Sequence, residues 1–447
     1  MRDRLVGLVV AAGVLGGRSA AAQEIPAPPP PLSAPPPAAP LPEAVPPPST
    51  PPPAPPPSEP SPDAAAEAAK NEAIQMEVYG FAMTDFGYNF GQSNPDWFDV
   101  VRPTKLPSVA NEFAPNGNLF AGVRQSRLGV KMDAPTPLGN LKTIFEFEMF
   151  GVGVDAGQTT FRLRHAYGEL GAFGAGQTWS PFMDIDVFPN SLEYWGPNGM
   201  AFFRNVQVRW MPIRGDTRLT FAFERPGASG DSGVYRDRVE LDDIKARFPL
   251  PDLSGEFRYG APWGYVELAG LVRYISWVDL GMQPGDLAGN AIGWGFNASS
   301  NIKLYKKNVL KLQVLYGQGV QNYMNDAPED IGIKNNPGNV NKPIEGVALP
   351  VLGVVAFFDL YWTDMFSTSL GYSLVNIGNS DAQGPDAFKR GQYALINLLC
   401  TPVPNVMFGI EGQFARRENN TDGFSYNDFR IQSSFRFSFS KKVGGSR

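Results

Sequence analysis

Residues Phe429–Phe439 read FRIQSSFRFSF. In an extended strand, alternate side chains point to opposite faces. Phe429, Ile431, Ser433, Phe435, Phe437 and Phe439 then share one face, and Arg430, Gln432, Ser434, Arg436 and Ser438 share the other. The first face is apolar and mostly aromatic. The second carries two guanidinium groups and an amide. A strand of a soluble protein turns its apolar face to a core. A strand of a membrane barrel turns that face to lipid and its polar face to a water-filled lumen. The fold depends on which of the two applies.

The same division recurs upstream. In LKTIFEFEMF, Phe145, Phe147 and Met149 oppose Lys142, Glu146 and Glu148. Phe161 and Leu163 oppose Arg162 and Arg164, and Val206, Val208 and Trp210 oppose Asn205, Gln207 and Arg209. Val266, Leu268, Val272 and Tyr274 oppose Glu267 and Arg273, and Leu310, Leu312, Val314 and Tyr316 oppose Lys311 and Gln313. A soluble β-sandwich also alternates. It accounts poorly for charge on one face of strand after strand, for an export signal, and for aromatics near strand ends (Phe86, Tyr88, Trp179, Trp210, Trp277, Trp294, Trp362). Aromatic girdles at the two membrane interfaces account for the last. The class expected is all-β, a transmembrane antiparallel β-barrel over residues 76–439.

Seventeen strand-like runs follow one another from Met76, two of them at 239–249 and 254–260. Closure of a single-chain bacterial barrel prefers an even number, so sixteen strands are expected, with eighteen as the alternative. Short turns (PTPLGN, GAFGAG, PIRGD, FPLPDLSG, TPVPN) alternate with longer segments such as 91–119 and 321–345. Short periplasmic turns and long outer loops give that asymmetry. Ahead of the barrel, Arg2 and Arg4, the apolar run Leu5–Leu15 and Ala20-Ala21-Ala22 read as a signal peptide over 1–22. Residues 23–62, which hold about half of the 43 prolines, are expected to be a disordered, proline-rich periplasmic linker. Residues 63–75 read as a short helical segment, and 440–447 as a C-terminal tail.

Composition excludes much chemistry. With 38 Lys plus Arg against 44 Asp plus Glu there is no basic excess, and nucleic acid is not an expected partner. One cysteine, Cys400, and one histidine, His165, leave no material for a zinc site, an iron–sulfur cluster or a disulfide framework. A nucleophile–histidine apparatus would need His165, which sits in FRLRHAYGEL, a strand with no nucleophile elbow. Neither an enzyme nor a cofactor or metal is expected.

The lumen should carry both signs of charge. Arg127, Arg162, Arg164 and Arg209 face Glu146 and Glu148 among the wall candidates, and rings of such groups select solutes by sign. The segment MDIDVFPNSLEYWGPNGMA, Met183–Ala201, is too long for a periplasmic turn and too apolar for a plain surface loop. It is expected to fold inward as a constriction loop, presenting Asp184, Asp186, Glu193, Tyr194 and Trp195.

These stretches also carry a resemblance. RLGVKMDAPTPLGNLKTIFEFEMFG, TFRLRHAYGELGAFGAGQTWSPFMD and FPNSLEYWGPNG, in that order over roughly residues 120–210, resemble the DcaP-like porins of Gram-negative bacteria. The resemblance implies a sixteen-stranded trimeric diffusion channel in the outer membrane, with a loop folded into each pore. It also implies a preference for small anionic solutes such as dicarboxylates, with Arg162 and Arg164 facing the constriction and Met183–Ala201 opposing them. The family's periplasmic extension is helical, whereas here a proline run replaces most of it. The expected function is passive diffusion of small hydrophilic solutes. The alternative is a structural envelope protein whose proline-rich segment tethers the outer membrane to peptidoglycan or a periplasmic partner.

Overall fold

The structure, a computed structural model, describes residues 74–282 and 285–444. The expected signal peptide, the proline-rich linker and all but the end of the expected helical segment lie outside the described residues. The strands are β1 (Gln75–Asn89), β2 (Asn118–Gly122), β3 (Arg127–Thr136), β4 (Gly139–Phe150), β5 (Thr159–Leu170), β6 (Phe173–Trp179) and β7 (Arg204–Ile213). Next come β8 (Arg218–Glu224), β9 (Ile244–Arg247), β10 (Asp252–Ala261), β11 (Gly264–Asp279), β12 (Gly289–Lys303) and β13 (Val309–Gln318). The last are β14 (Ile331–Asn335), β15 (Ile344–Ala348), β16 (Pro350–Tyr361), β17 (Phe366–Ile377), β18 (Phe388–Val403), β19 (Val406–Asn419) and β20 (Ser425–Val443).

Eighteen of these form one antiparallel sheet, and β14 and β15 form a separate hairpin. β2 pairs with Asp85–Asn89 of β1 and β3 with Gln75–Phe81, so β2 and β3 are one wall strand with a break. β9 and β10 share β11 in the same way. The wall is therefore a closed barrel of sixteen strands, with β20 sealed against β1 from Met76↔Val443 to Asn89↔Arg430. The runs at 239–249 and 254–260 are two parts of one strand, and FPLPDLSG is the break between them, not a hairpin turn. Pro249 and Pro251 lack the N–H that the ladder needs there. The β14–β15 hairpin arises inside a stretch expected to be plain loop.

The faces fall as alternation requires. Phe437 is 57% exposed on the outside of the wall and Arg430 is 2% exposed on the inside. A charge on the outer face would cost about 2–4 kcal/mol at mid-membrane, which favours this register along the apolar band. β20 also runs beyond Phe439: Ser440–Val443, expected to begin a tail, pair with Met76–Tyr79. Two girdle candidates face inward instead. Trp179 packs edge-on against His165 and Phe202. Trp277 donates from Nε1 to the Leu287 carbonyl, beneath the β14–β15 hairpin.

Two-residue links at 137–138, 171–172 and 404–405 mark the end of the barrel where the chain enters and leaves. The opposite end carries the long connections. Two of them, 90–117 and 180–203, turn into the barrel and, with 319–330, fill much of its interior. Val101, Leu106, Phe182, Phe188, Phe202 and Tyr323 belong to one buried apolar cluster built from all three.

Candidate functional site

The loop between β6 and β7 crosses the lumen, fixed to the wall at successive points. Its first turn, Ile185–Val187, is capped by Asp184, whose side chain accepts from the Asp186 amide. Lys311 of β13 donates to the Phe188 carbonyl at 2.5 Å, and Asn397 of β18 to the Asn190 carbonyl at 2.7 Å. The Glu411 carboxylate of β19 accepts the amides of Leu192 and Glu193 at 2.7 and 3.0 Å. The loop's apolar side chains, Phe182, Val187, Phe188, Leu192 and Trp195 among them, are wholly buried. Close approach to the wall needs glycine: a Cβ on Gly199 would stand 2.1 Å from the Leu374 carbonyl oxygen. The apolar content of Met183–Ala201 thus has its partners inside the barrel.

Beside this loop the wall gathers arginine. Arg164 of β5 donates to Glu146 at 2.5 Å and to Glu148 at 2.6 Å, both on β4. Arg127 of β3 lies 3.6 Å from Glu146 and 3.3 Å from Glu148. Arg162 reaches Glu148 at 3.5 Å and Arg204 at 3.8 Å. Tyr79 donates to Glu146 at 2.7 Å, and Tyr194, from the loop, donates to Glu148. Four guanidinium groups therefore surround two carboxylates, a surplus of two positive charges (4 − 2). The two terminal nitrogens of Arg162 have no hydrogen-bond partner, which makes Arg162 the least satisfied of the expected arginines. Its neighbour two residues on is fully locked.

The remaining candidates are elsewhere. Arg209 is on the same wall but outside the cluster, donating to the Trp179 carbonyl and to Gln207 and lying over the Tyr167 ring at 5.0 Å. Asp184 and Asp186 clasp Arg258 of β10 at 2.7 and 2.6 Å, and Arg258 also meets Glu267 at 2.6 Å. Glu193 accepts from the Val101 amide, the Gly196 amide and the Tyr393 hydroxyl. Burial pushes the Glu193 carboxyl up to about 7, while Arg430 and the backbone donors pull the other way. Trp195 stacks on Arg102, whose guanidinium lies 3.7 Å from its ring centre and 4.3 Å from that of Trp97. Arg102 also pairs with Asp326 at 2.9 Å, tying loop 90–117 to the 319–330 segment.

Arg204, Arg102, Arg258 and Asp326 are absent from the candidates read from sequence. Arg204 opens β7 in FFRNVQV, one residue before the alternation begins. Arg102 and Asp326 lie in connections whose inward course no periodicity marks. Below the loop, towards the short turns, opens a vestibule of about 540 Å³ with Arg258, Lys303, Lys311 and Arg436 on its walls against Asp186, Asp216 and Asp359. His165 is a buried wall residue with Nδ1 3.0 Å from the Thr178 hydroxyl. The arrangement offers charge and shape to a passing solute.

Comparison with known proteins places this geometry. The family described as DcaP outer membrane protein matches residues 63–439. The fold is similar to that of the outer membrane channel DcaP of Acinetobacter baumannii, at 21% identity and a TM-score of 0.66, covering 82% of this chain and 97% of that one. It is also similar to an anion-selective porin from Comamonas acidovorans, at 12% identity and a TM-score of 0.53, covering 82% and 100%. OmpT of Vibrio cholerae, expressed in the outer membrane, gives 10% identity and a TM-score of 0.51 over 82% and 98%. No curated protein matches the sequence. The family match spans all but the last residues of the barrel, and the chain is a porin of the outer membrane belonging to the DcaP family.

Proposed function

We propose that the barrel passes small hydrophilic solutes by diffusion and favours anions, dicarboxylates among them. The observation that carries this reading is the arginine cluster beside the loop, four guanidiniums around two carboxylates, with its surplus of positive charge. A guanidinium fork binds a carboxylate through two parallel hydrogen bonds. Arg164 is committed to Glu146 and Glu148, so the cluster would act on a passing diacid through its net field and not through a second fork. The pairs around Arg258 add negative charge elsewhere on the wall, so the path is not uniformly basic.

The resemblance to trimeric porins supports a homotrimer, and the solute path is then one per protomer. Zero-current potentials across planar bilayers under a KCl gradient test the anion preference. A cation-selective sign would overturn it. Blockade of single channels by succinate at the concentrations where glucose has no effect tests the dicarboxylate preference.

A further inference from the structure

The outer surface of the barrel carries a second charged feature, unrelated to the solute path. Strand register places Asn376, Arg390, Glu418 and Ser425 side by side across β17–β20 near the loop end. The next row towards the membrane centre is Leu374, Gln392, Arg416 and Asn427. These positions share the outward face with Phe429 and Ile396, which are 57% and 59% exposed. Below them the face is apolar: Tyr372, Ala394, Phe414 and Phe429, then Leu370, Ile396, Gly412 and Ile431.

Glu418 holds the two guanidiniums together. Arg416 donates to it at 2.9 Å, and Arg390 lies 3.5 Å away, with side chains 35% and 43% exposed. Arg390 also donates to Asn376 at 3.2 Å, while the terminal nitrogens of Arg416 reach Asn427 and Ser425 only at 3.5 and 3.4 Å. Two guanidiniums offer about ten N–H donors. Five contacts, three of them long, leave about half of that capacity open. Charge on a barrel's outer face costs about 2–4 kcal/mol against lipid tails at the midplane and about 0–1 near the interface. The cluster therefore sits where tails end and headgroups begin, with a net charge of +1 (two Arg, one Glu).

We propose that Arg390 and Arg416 bind the phosphate groups of the outer-leaflet lipopolysaccharide, whose acyl chains lie on the apolar band beneath. Phosphate takes the guanidinium forks that Glu418 pre-aligns. A contact with another copy of the chain is the competing use of this face. Interface cores are depleted of charge, and such a contact would bury donors that have no acceptor.

The test uses the full-length protein purified from outer membranes in mild detergent, with native mass spectrometry of added lipid A. Wild type should bind bis-phosphorylated lipid A about tenfold more tightly than its dephosphorylated form. The double variant R390A/R416A should lose that discrimination with the oligomer mass unchanged, and R390K/R416K should keep part of it. Inorganic phosphate at the same concentration should not displace the lipid, because it lacks the apolar contacts. Equal binding of the two lipids by wild type would overturn the proposal without recourse to any variant. So would a double variant that keeps the discrimination, or one that falls apart into protomers while its lipid binding is intact.

Discussion

Replacing Arg162 by alanine isolates the charge that the proposed selectivity depends on most. Arg162 pairs with Glu148 at 3.5 Å and its terminal nitrogens carry no hydrogen bond, so its removal leaves the Arg164–Glu146–Glu148 ion pairs in place. The surplus of the cluster falls from two positive charges to one. An anion about 7 Å from a unit charge at the dielectric constant of water gains about 0.6 kcal/mol. At 0.1 M salt, with a screening length of about 10 Å, about half of that remains. The anion loses this stabilisation and a cation is relieved of the same repulsion, so the anion-to-cation ratio should fall by about threefold. The assay is the zero-current potential in a tenfold KCl gradient, with wild type and variant at the same ionic strength. At 1 M salt the difference should nearly vanish, since the screening length is then about 3 Å. A variant whose potential matches wild type at low salt would refute the reasoning, because the surplus charge of the cluster would then lie off the ion path.

Two further outcomes follow from the loop and from the seam. The Glu193 carboxyl, raised by burial to about 7 from an unfolded value of 4.5, holds its proton more tightly when the loop is packed. That contribution is complete below about pH 4.5 and is lost as pH rises through about 7. Open-channel noise should therefore grow between pH 5 and pH 8, and E193Q should flatten the trend. Noise that ignores pH, or a trend that survives E193Q, would show that Glu193 does not govern the loop. Deleting Ser440–Arg447 removes the pairs Tyr79↔Ser440 to Met76↔Val443 at the seam where the barrel closes. At about 1 kcal/mol per hydrogen bond the loss is on the order of 2–4 kcal/mol. Refolded yield in detergent should drop, and the temperature at which the folded band disappears on gels should fall. An unchanged temperature would mean that the seam is complete at Phe439.

Alternation in Phe429–Phe439 shows why the barrel itself is legible. The pattern is local, strand after strand repeats it, and lipid penalises violations near mid-membrane, so Arg430 and Phe437 lie on the faces their spacing requires. Spacing reports which face a side chain takes. It does not report which neighbour meets it there. Arg162 and Arg164 are equivalent in TFRLRHAYG, yet one is loosely held and the other is locked between two carboxylates. The pairing of β4 with β5 separates them. Its register shifts between Glu146 and Phe147, and again between Glu148 and Phe150, which brings both carboxylates onto Arg164. Bulges of this kind re-aim side chains, and no residue within β5 encodes one. The inward course of 90–117 is hidden for a similar reason. Arg102 finds Trp97, Trp195 and Asp326 only after three separated segments have packed together. The face that carries charge can thus be read from one strand at a time, whereas which charges pair with one another depends on register between strands. That is why the single variant at Arg162 is a sharper probe of this pore than replacing both arginines together.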